Sequence, residues 1–466
     1  MLLRGKPQPG PQRQRLGRRE FLKGIVSLGG LAVVSYLVSP WWRGNQPAPG
    51  MPPLITSPLP NLSGEPLSET ILPTTPSALH IANEEAIIAS ERTLAASQPP
   101  FAVLYGPGLK EYNFGPNRLF RGRRYGQFIQ FLQENLPEAN NYRILKADPA
   151  TDEDLLLISP REYIDFSRRY YEAANLGLEP PAGFSKFHGR DNKPDWPPGK
   201  IEHAARIIVG QAKMACDLVQ EGKFTKAISI GGGLHHAGPS QGEGFSIYND
   251  VAFCAKYLLH QYNLERILIL DVDAHAGNGT SAYFYDDPRV LLIDLHQDPK
   301  TIYPGTGFAN EIGTGAGTGF TINIPLPPYA SDSSYRLAFE SVVEPVTREF
   351  KPQIIIANGG ADPHFADSVA YLGLTLAGFR MIGEKIGAMS SICDGKVVTL
   401  LVSGYNEEVR PLVWLSIIAG LNGIEFDAKE PLPIPESIRV DYPFATTQRI
   451  IKEVKGYLRE YWHSLR

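Results

Sequence analysis

From residue 226 onward the chain alternates strand-like runs with amphipathic stretches, and that rhythm limits what it can fold into. Lys226 to Ile230, Arg266 to Val272, Val290 to Leu295, Phe320 to Ile324, Ile354 to Ala357 and Val397 to Val402 read as strands. Tyr248 to Tyr262, Ser334 to Phe350, Thr375 to Met389 and Glu407 to Leu421 have helical spacing. The run that starts at Ile267 is apolar at every position, the mark of a strand buried on both faces of a parallel sheet. The expected fold class is α/β: a single large domain with a mostly parallel central sheet and helices on both faces. A length of 466 residues with 43% hydrophobic content is enough for one large core.

Upstream, Phe101 to Tyr105 reads as a short strand. Ile81 to Gln98, Tyr125 to Glu134, Pro160 to Ala174 and Gly199 to Gln220 read as helices. The basic run Asn113 to Arg124 is broken by Gly and Pro and reads as a solvated loop, with an internal anion or product channel as the alternative. Phe184 to Pro198 is a long loop, of a length that in compact domains often serves function. Ala445 to Leu465 reads as an amphipathic helix that packs on the domain surface.

The first 79 residues look unlike the rest. Residues 1–23 hold seven Lys/Arg and one acid, and an almost wholly apolar run follows to Val38. That is a charged region followed by a hydrophobic one, the layout of an export signal. The junction Gly17-Arg-Arg-Glu-Phe-Leu-Lys23 resembles a twin-arginine signal, lacking the usual Ser/Thr before the arginines. The expected partner is the twin-arginine export machinery, with the folded part in the periplasm or an equivalent lumen. Carried on through Trp41 and Trp42, the run approaches the ~20 residues that span a bilayer, so a retained N-terminal membrane anchor stays open. Pro40 to Pro76 holds ten prolines and reads as an extended tether. The expected organisation is a signal or anchor over 1–39, a Pro-rich linker over 40–79, and a catalytic domain over 80–466. A net charge of −4 gives no reason to expect nucleic acid as a partner, and three cysteines build no disulfide framework.

Chemistry gathers where the strands end. The run from Ile267 finishes in Asp271, Asp273 and His275. Two carboxylates and an imidazole at the end of a buried strand are costly unless a metal or a partner charge satisfies them. An Asp-x-His pair suits zinc and other borderline divalent ions; a hydrogen-bonded Asp/His cluster accounts for this stretch equally well. Three more strands end alike: Gly231-Gly-Gly-Leu-His-His-Ala237 after Ile230, Asn358-Gly-Gly-Ala-Asp362 after Ala357, and Ser403-Gly-Tyr405 after Val402. Ligands in open α/β sheets bind beyond the carboxyl ends of the strands.

These four segments, in this order, resemble the zinc-dependent histone deacetylase family, which includes acetylpolyamine amidohydrolases and acetoin-utilisation proteins. Asp271-Val-Asp-Ala-His-Ala-Gly-Asn-Gly resembles the family's Asp-x-Asp-x-His-His-Gly-(Asp/Asn)-Gly, in a form nearest its class IV-like branch. Gly232-Gly-Leu-His-His-Ala, followed by Gly244-Phe-Ser-Ile-Tyr-Asn-Asp250, matches the tandem-histidine block. Tyr303-Pro-Gly-Thr-Gly307 matches the Phe/Tyr-Pro-Gly-Thr-Gly loop. The resemblance covers roughly residues 100–425 and implies the arginase-deacetylase fold.

It also implies roles. Zinc, or ferrous iron, would be held by Asp273, His275 and Asp362. His236, paired with Asn278, would be general base and then acid; His235, backed by Asp271, would stabilise charge; Tyr405 would donate to the oxyanion. Gly244, Phe245 and Tyr303 would wall a narrow tunnel for a small acylated amine or an acyl-lysine side chain. Asp191, chosen over Asp195, would clamp the substrate, and Asp271 would help hold a structural potassium ion. The sequence departs from the family in Ala276, where a second histidine is usual, in the single glycine before Tyr405, and in Gly115-Pro-Asn-Arg-Leu, where Gly-His-Pro is usual. Two alternative readings stand beside this one: an arginase-type ureohydrolase, which needs an Asp where Gly277 stands, and an exported, non-catalytic acyl-amine binding protein.

Overall fold

The structure is a computed structural model that describes residues 100–466. The signal, the linker and the helix expected over Ile81 to Gln98 lie outside the described residues. Among the described residues, no helix is long and apolar enough to cross a membrane.

Eight strands form one sheet, and every pairing in it is parallel. They are β1 (Phe101–Leu104), β2 (Tyr142–Leu145), β3 (Lys226–Ile230), β4 (Ile267–Asp271), β5 (Val290–Gln297), β6 (Thr321–Leu326), β7 (Ile354–Gly360) and β8 (Val397–Ser403). The order across the sheet is β2-β1-β3-β8-β7-β4-β5-β6. Every residue of β4, β5, β6, β7 and β8 is buried. Successive side chains of a strand point to opposite faces, so both faces are covered. The cover comes from α1 (Arg123–Asn135), α2 (Arg161–Leu176), α3 (Ile201–Gln220), α4 (Asp250–Gln261), α5 (Asn278–Phe284), α6 (Asp332–Ala338, running on through Glu344–Phe350), α7 (Leu376–Met389), α8 (Arg410–Asn422) and α9 (Phe444–Leu458).

Three elements differ from the sequence reading. β2 was not expected: only Tyr142 of its four residues is buried, because it lies at the sheet edge and lacks an aliphatic signature. α5 opens at Asn278-Gly, a poor start for a helix, yet Gly279 lies so close to the His236–Ala237 backbone that a Cβ would sit 2.5 Å from it. The stretch Ser334 to Phe350 is one helix interrupted by a π-helical turn at Phe339–Val343, just before Pro345. Proline lacks an N–H and crowds the preceding turn, and a wider turn relieves both. The tail helix packs as expected, burying Ile451, Val454 and Leu458.

The order of the sheet matters most for function. β3, β8, β7 and β4 are the four adjacent central strands. They are the same four whose ends carry the histidine pair, Tyr405, Asp362 and the Asp/His cluster.

Candidate active site

Past Asp271 the chain leaves the sheet, so Asp273 and His275 stand on the loop between β4 and α5 rather than on the strand. Asp362 follows β7. Ligand atoms of Asp273, His275 and Asp362 lie within 4.8 Å of one another, and all three residues are buried. His275 Nδ1 is 3.1 Å from Asp273 Oδ1 and 3.0 Å from Asp362 Oδ2. Burial alone would push the His275 imidazolium down, but the two carboxylates outweigh it and raise the ring to about 10. Asp362 is pushed up to about 6 by burial and by Asp273 beside it. The cluster is thus arranged for positive charge at its centre. Two oxygens and one nitrogen are the donor set of an open catalytic metal site, so the residues fit a divalent ion. Among the described residues this is the only such cluster.

The tandem histidines sit beside it. His235 Nδ1 is 2.8 Å from Asp271 Oδ2, and its Nε2 is 3.8 Å from Asp273 Oδ1. His236 Nδ1 is 2.7 Å from Asn278 Oδ1. The two rings, 4.2 Å apart, are pushed in opposite directions. Burial opposes charge on His235, yet Asp271 and Asp273 prevail and raise it to about 9. His236 has no carboxylate partner; burial and then the neighbouring His235 and His275 hold it well below the usual histidine range.

Tyr405 lines the same cavity as these residues. Its backbone N–H donates to Asp367 Oδ2 at 2.7 Å. Burial, with Asp362 close by, pushes its phenol up, so it stays a proton donor. The cavity holds about 330 Å³ and is lined besides by Asp191, Gly244, Phe245, Tyr303, Leu119, Phe120 and Val369, among others. Gly244 has φ +51 and lies against His236: a Cβ there would sit 2.4 Å from the imidazole, so the close approach demands glycine. Of the two acids in the long loop, Asp191 lines the cavity, whereas Asp195 pairs with Arg118 at 3.5 Å.

Asn278 lines no part of the cavity but touches His236, and Asp271 stands behind His235. Several supporting residues escaped the sequence reading. Ser403 Oγ donates to Asp362 Oδ1 at 2.7 Å, and Asn358 Nδ2 donates to Asp271 Oδ2 at 2.9 Å. Asp250 accepts from the Gly233 and Leu234 N–H groups, fixing the turn before the histidines. Arg124 and Arg410 each donate to the Gly404 carbonyl, just before Tyr405. All but Arg124 and Arg410 stand in or beside the motifs quoted above; Arg124 lies in the basic run that read as a solvated loop, and it is buried.

Residues 118–421 match the histone deacetylase domain model. The chain belongs to the histone deacetylase family. It is 35% identical over 328 residues to acetoin utilization protein AcuC of Staphylococcus aureus, covering 69% of this chain and 81% of that one. It is 37% identical over 341 residues to a probable deacetylase of Archaeoglobus fulgidus, covering 72% and 90%. Among solved structures, the HDA15 HD domain superposes with a TM-score of 0.65 at 23% identity, covering 78% of this chain and 97% of that domain, and shares its fold. Family membership supports hydrolytic activity of the deacetylase type. None of these matches bears on the export signal expected over residues 1–39.

Proposed function

We propose that the chain is a metal-dependent amidohydrolase that removes an acyl group, in the first place acetyl, from an acylated amine or lysine side chain. One observation supports this most: the Asp273–His275–Asp362 cluster, the histidine pair and Tyr405 all face one narrow cavity. A zinc or ferrous ion held by those three residues would supply the Lewis acidity that activates water and polarises the amide carbonyl.

The chain's own groups do the rest. His236 turns Nδ1 to the Asn278 oxygen, so Nδ1 carries the hydrogen and Nε2 holds a free lone pair. Kept neutral by its surroundings, His236 takes a proton at Nε2 and then delivers it to the departing amine. His235, which Asp271 favours as the cation, stabilises negative charge that builds beside it. The opposite shifts keep one ring neutral for proton transfer and the other charged for electrostatic stabilisation. The Tyr405 hydroxyl, held protonated, donates to the developing oxyanion. Phe245 and Tyr303 hold the alkyl stem, and Asp191 meets the polar end of the substrate at the mouth. Asp271 would also help hold the structural potassium ion that the family resemblance implies.

An acyl-amine panel incubated with the zinc-loaded chain should release free amine, and a chelator should stop it. Tyr405→Phe should lower kcat by about 100- to 1,000-fold with little change in metal content. Undiminished turnover in that variant would point instead to the non-catalytic binding protein. The N-terminal sequence supports export by the twin-arginine route. A reporter fused behind residues 1–79 should leave the cytoplasm, and Arg18→Lys with Arg19→Lys should retain it.

A further inference from the structure

A hydrogen bond ties Tyr303 of the tunnel to Glu243, which lines a neighbouring cavity with it, and none of the chemistry above uses it. Glu243 precedes Gly244 and Phe245, which form one part of the wall; Tyr303, from the loop after β5, forms another. Tyr303 Oη donates to Glu243 Oε2 at 3.3 Å, and Gln241 Nε2 donates to Oε1 at 2.9 Å. Both carboxylate oxygens are engaged, and neither bond involves a cation.

The two parts are held unequally. Phe245 adopts φ +64, its carbonyl accepts from Tyr112 Oη at 2.5 Å, and its ring stacks on Phe120 at 5.6 Å. The turn before it is laced to the long loop: Gly189 N–H donates to the Gly242 carbonyl, and Gly242 N–H to the Phe187 carbonyl, each at 2.8 Å. Tyr303 is 39% exposed, and its ring meets His236 edge-on at 5.0 Å. A firmly packed part therefore holds a freer one through a single hydroxyl. A phenylalanine at 303 would keep the ring and lose the tie.

We propose that Glu243 is a positioning residue that acts through Tyr303 to set the width of the slot between Tyr303 and Phe245, confining the tunnel to acylated amines with an unbranched alkyl stem. The proposal rests on the amidohydrolase reading for the nature of the ligand. The slot must close on the stem just above His236, where a branch next to the nitrogen would meet the Tyr303 ring. Discrimination by one methyl group in such a slot is roughly tenfold or more.

The test uses the full chain loaded with zinc and two isomeric N-alkylacetamides, one straight and one branched next to the nitrogen. Binding is followed by calorimetry and hydrolysis by amine release. The wild type should prefer the straight isomer by roughly tenfold in Kd. Glu243→Ala and Tyr303→Phe should each remove most of that preference, and the double variant should lose no more than either alone. Glu243→Gln should keep it, because the amide oxygen still accepts from Tyr303. A preference untouched by Glu243→Ala, or losses that add in the double variant, would overturn the proposal. Selective binding without hydrolysis sinks the amidohydrolase reading and leaves the slot standing. Hydrolysis indifferent to branching sinks the slot alone, and failure of both isomers to bind sinks both.

Discussion

The floor and the rim of the cavity are built on different terms. At the floor, Asp273 and Asp362 are 2% and 1% exposed and stand beyond adjacent central strands. Their oxygens are engaged by His275, Ser403 and backbone N–H groups. At the rim, Asp191 is exposed and makes no hydrogen bond or ion pair among the described residues, and Tyr303 is held by one long hydrogen bond. The sheet fixes the floor, while loops from separate parts of the chain fix the rim. Reaction type should then be robust to change at the rim, and selectivity should be sensitive to it.

The sharpest way to break that contrast is at the floor. Asp362→Ala removes one of two anionic donors and leaves His275 facing a single carboxylate. Bound zinc, measured by elemental analysis after dialysis, should fall to a trace, and hydrolysis should fall with it. Ser403→Ala removes only the hydroxyl that orients Asp362. Loss of such an outer partner weakens metal affinity by about 10- to 100-fold, an effect that should stay below that of Asp362→Ala. If both variants hold zinc like the wild type, the floor is no metal site.

At the rim a smaller and different effect is expected. Asp191→Ala should raise KM several-fold with kcat within about twofold, the pattern of binding shared by ground and transition states. For a substrate bearing a second ammonium group the change should shrink as salt is added, because an exposed charge is screened within ~10 Å at 0.1 M. A fall in kcat with KM unchanged would show that the rim takes part in the chemistry, and the contrast would blur.

The same contrast explains what was legible in the sequence. Reactive residues at strand ends stand out because a buried aliphatic run stops abruptly at His235, Asp273, Asp362 or Tyr405. Their convergence follows from sheet order, which the motif order of the family already implied. Contacts between strands far apart in the chain were hidden: nothing local ties Ser403 to Asp362 or Asn358 to Asp271 until β8, β7 and β4 are neighbours. In the long loop, spacing could not separate Asp191 from Asp195. The choice is made by Arg118 and the Phe114 carbonyl, which draw Asp195 away from the cavity. Glu243 stands just outside the Gly244-Phe245 motif, and nothing local links it to Tyr303, sixty residues on.

The last expected effect is on stability rather than activity and concerns the support beneath the rim. His188 begins the turn that carries Asp191 and packs among Tyr163, Phe166, Tyr171 and Phe184. Its Nε2 is 3.0 Å from Ser167 Oγ, and its Nδ1 has no partner. Burial pushes its pKa down from 6.5 to about 3. Between those two values the unfolded chain holds a proton on His188 that the folded chain does not. Stability therefore rises with pH across that window and is lost as the solution is acidified below about 6.5. Each unit of depression below the usual value costs roughly 1.4 kcal/mol, so the loss near pH 4.5 is on the order of 3 kcal/mol before local opening relieves it. His188→Gln keeps a polar group of similar size that does not titrate. Its urea midpoint should fall less than the wild type's between pH 6.5 and 4.5, and amide protection across residues 184–192, corrected for the intrinsic exchange rate at each pH, should fall in acid only in the wild type. Identical acid slopes in the two proteins would mean that His188 is free to protonate in place, and that the rim is supported some other way.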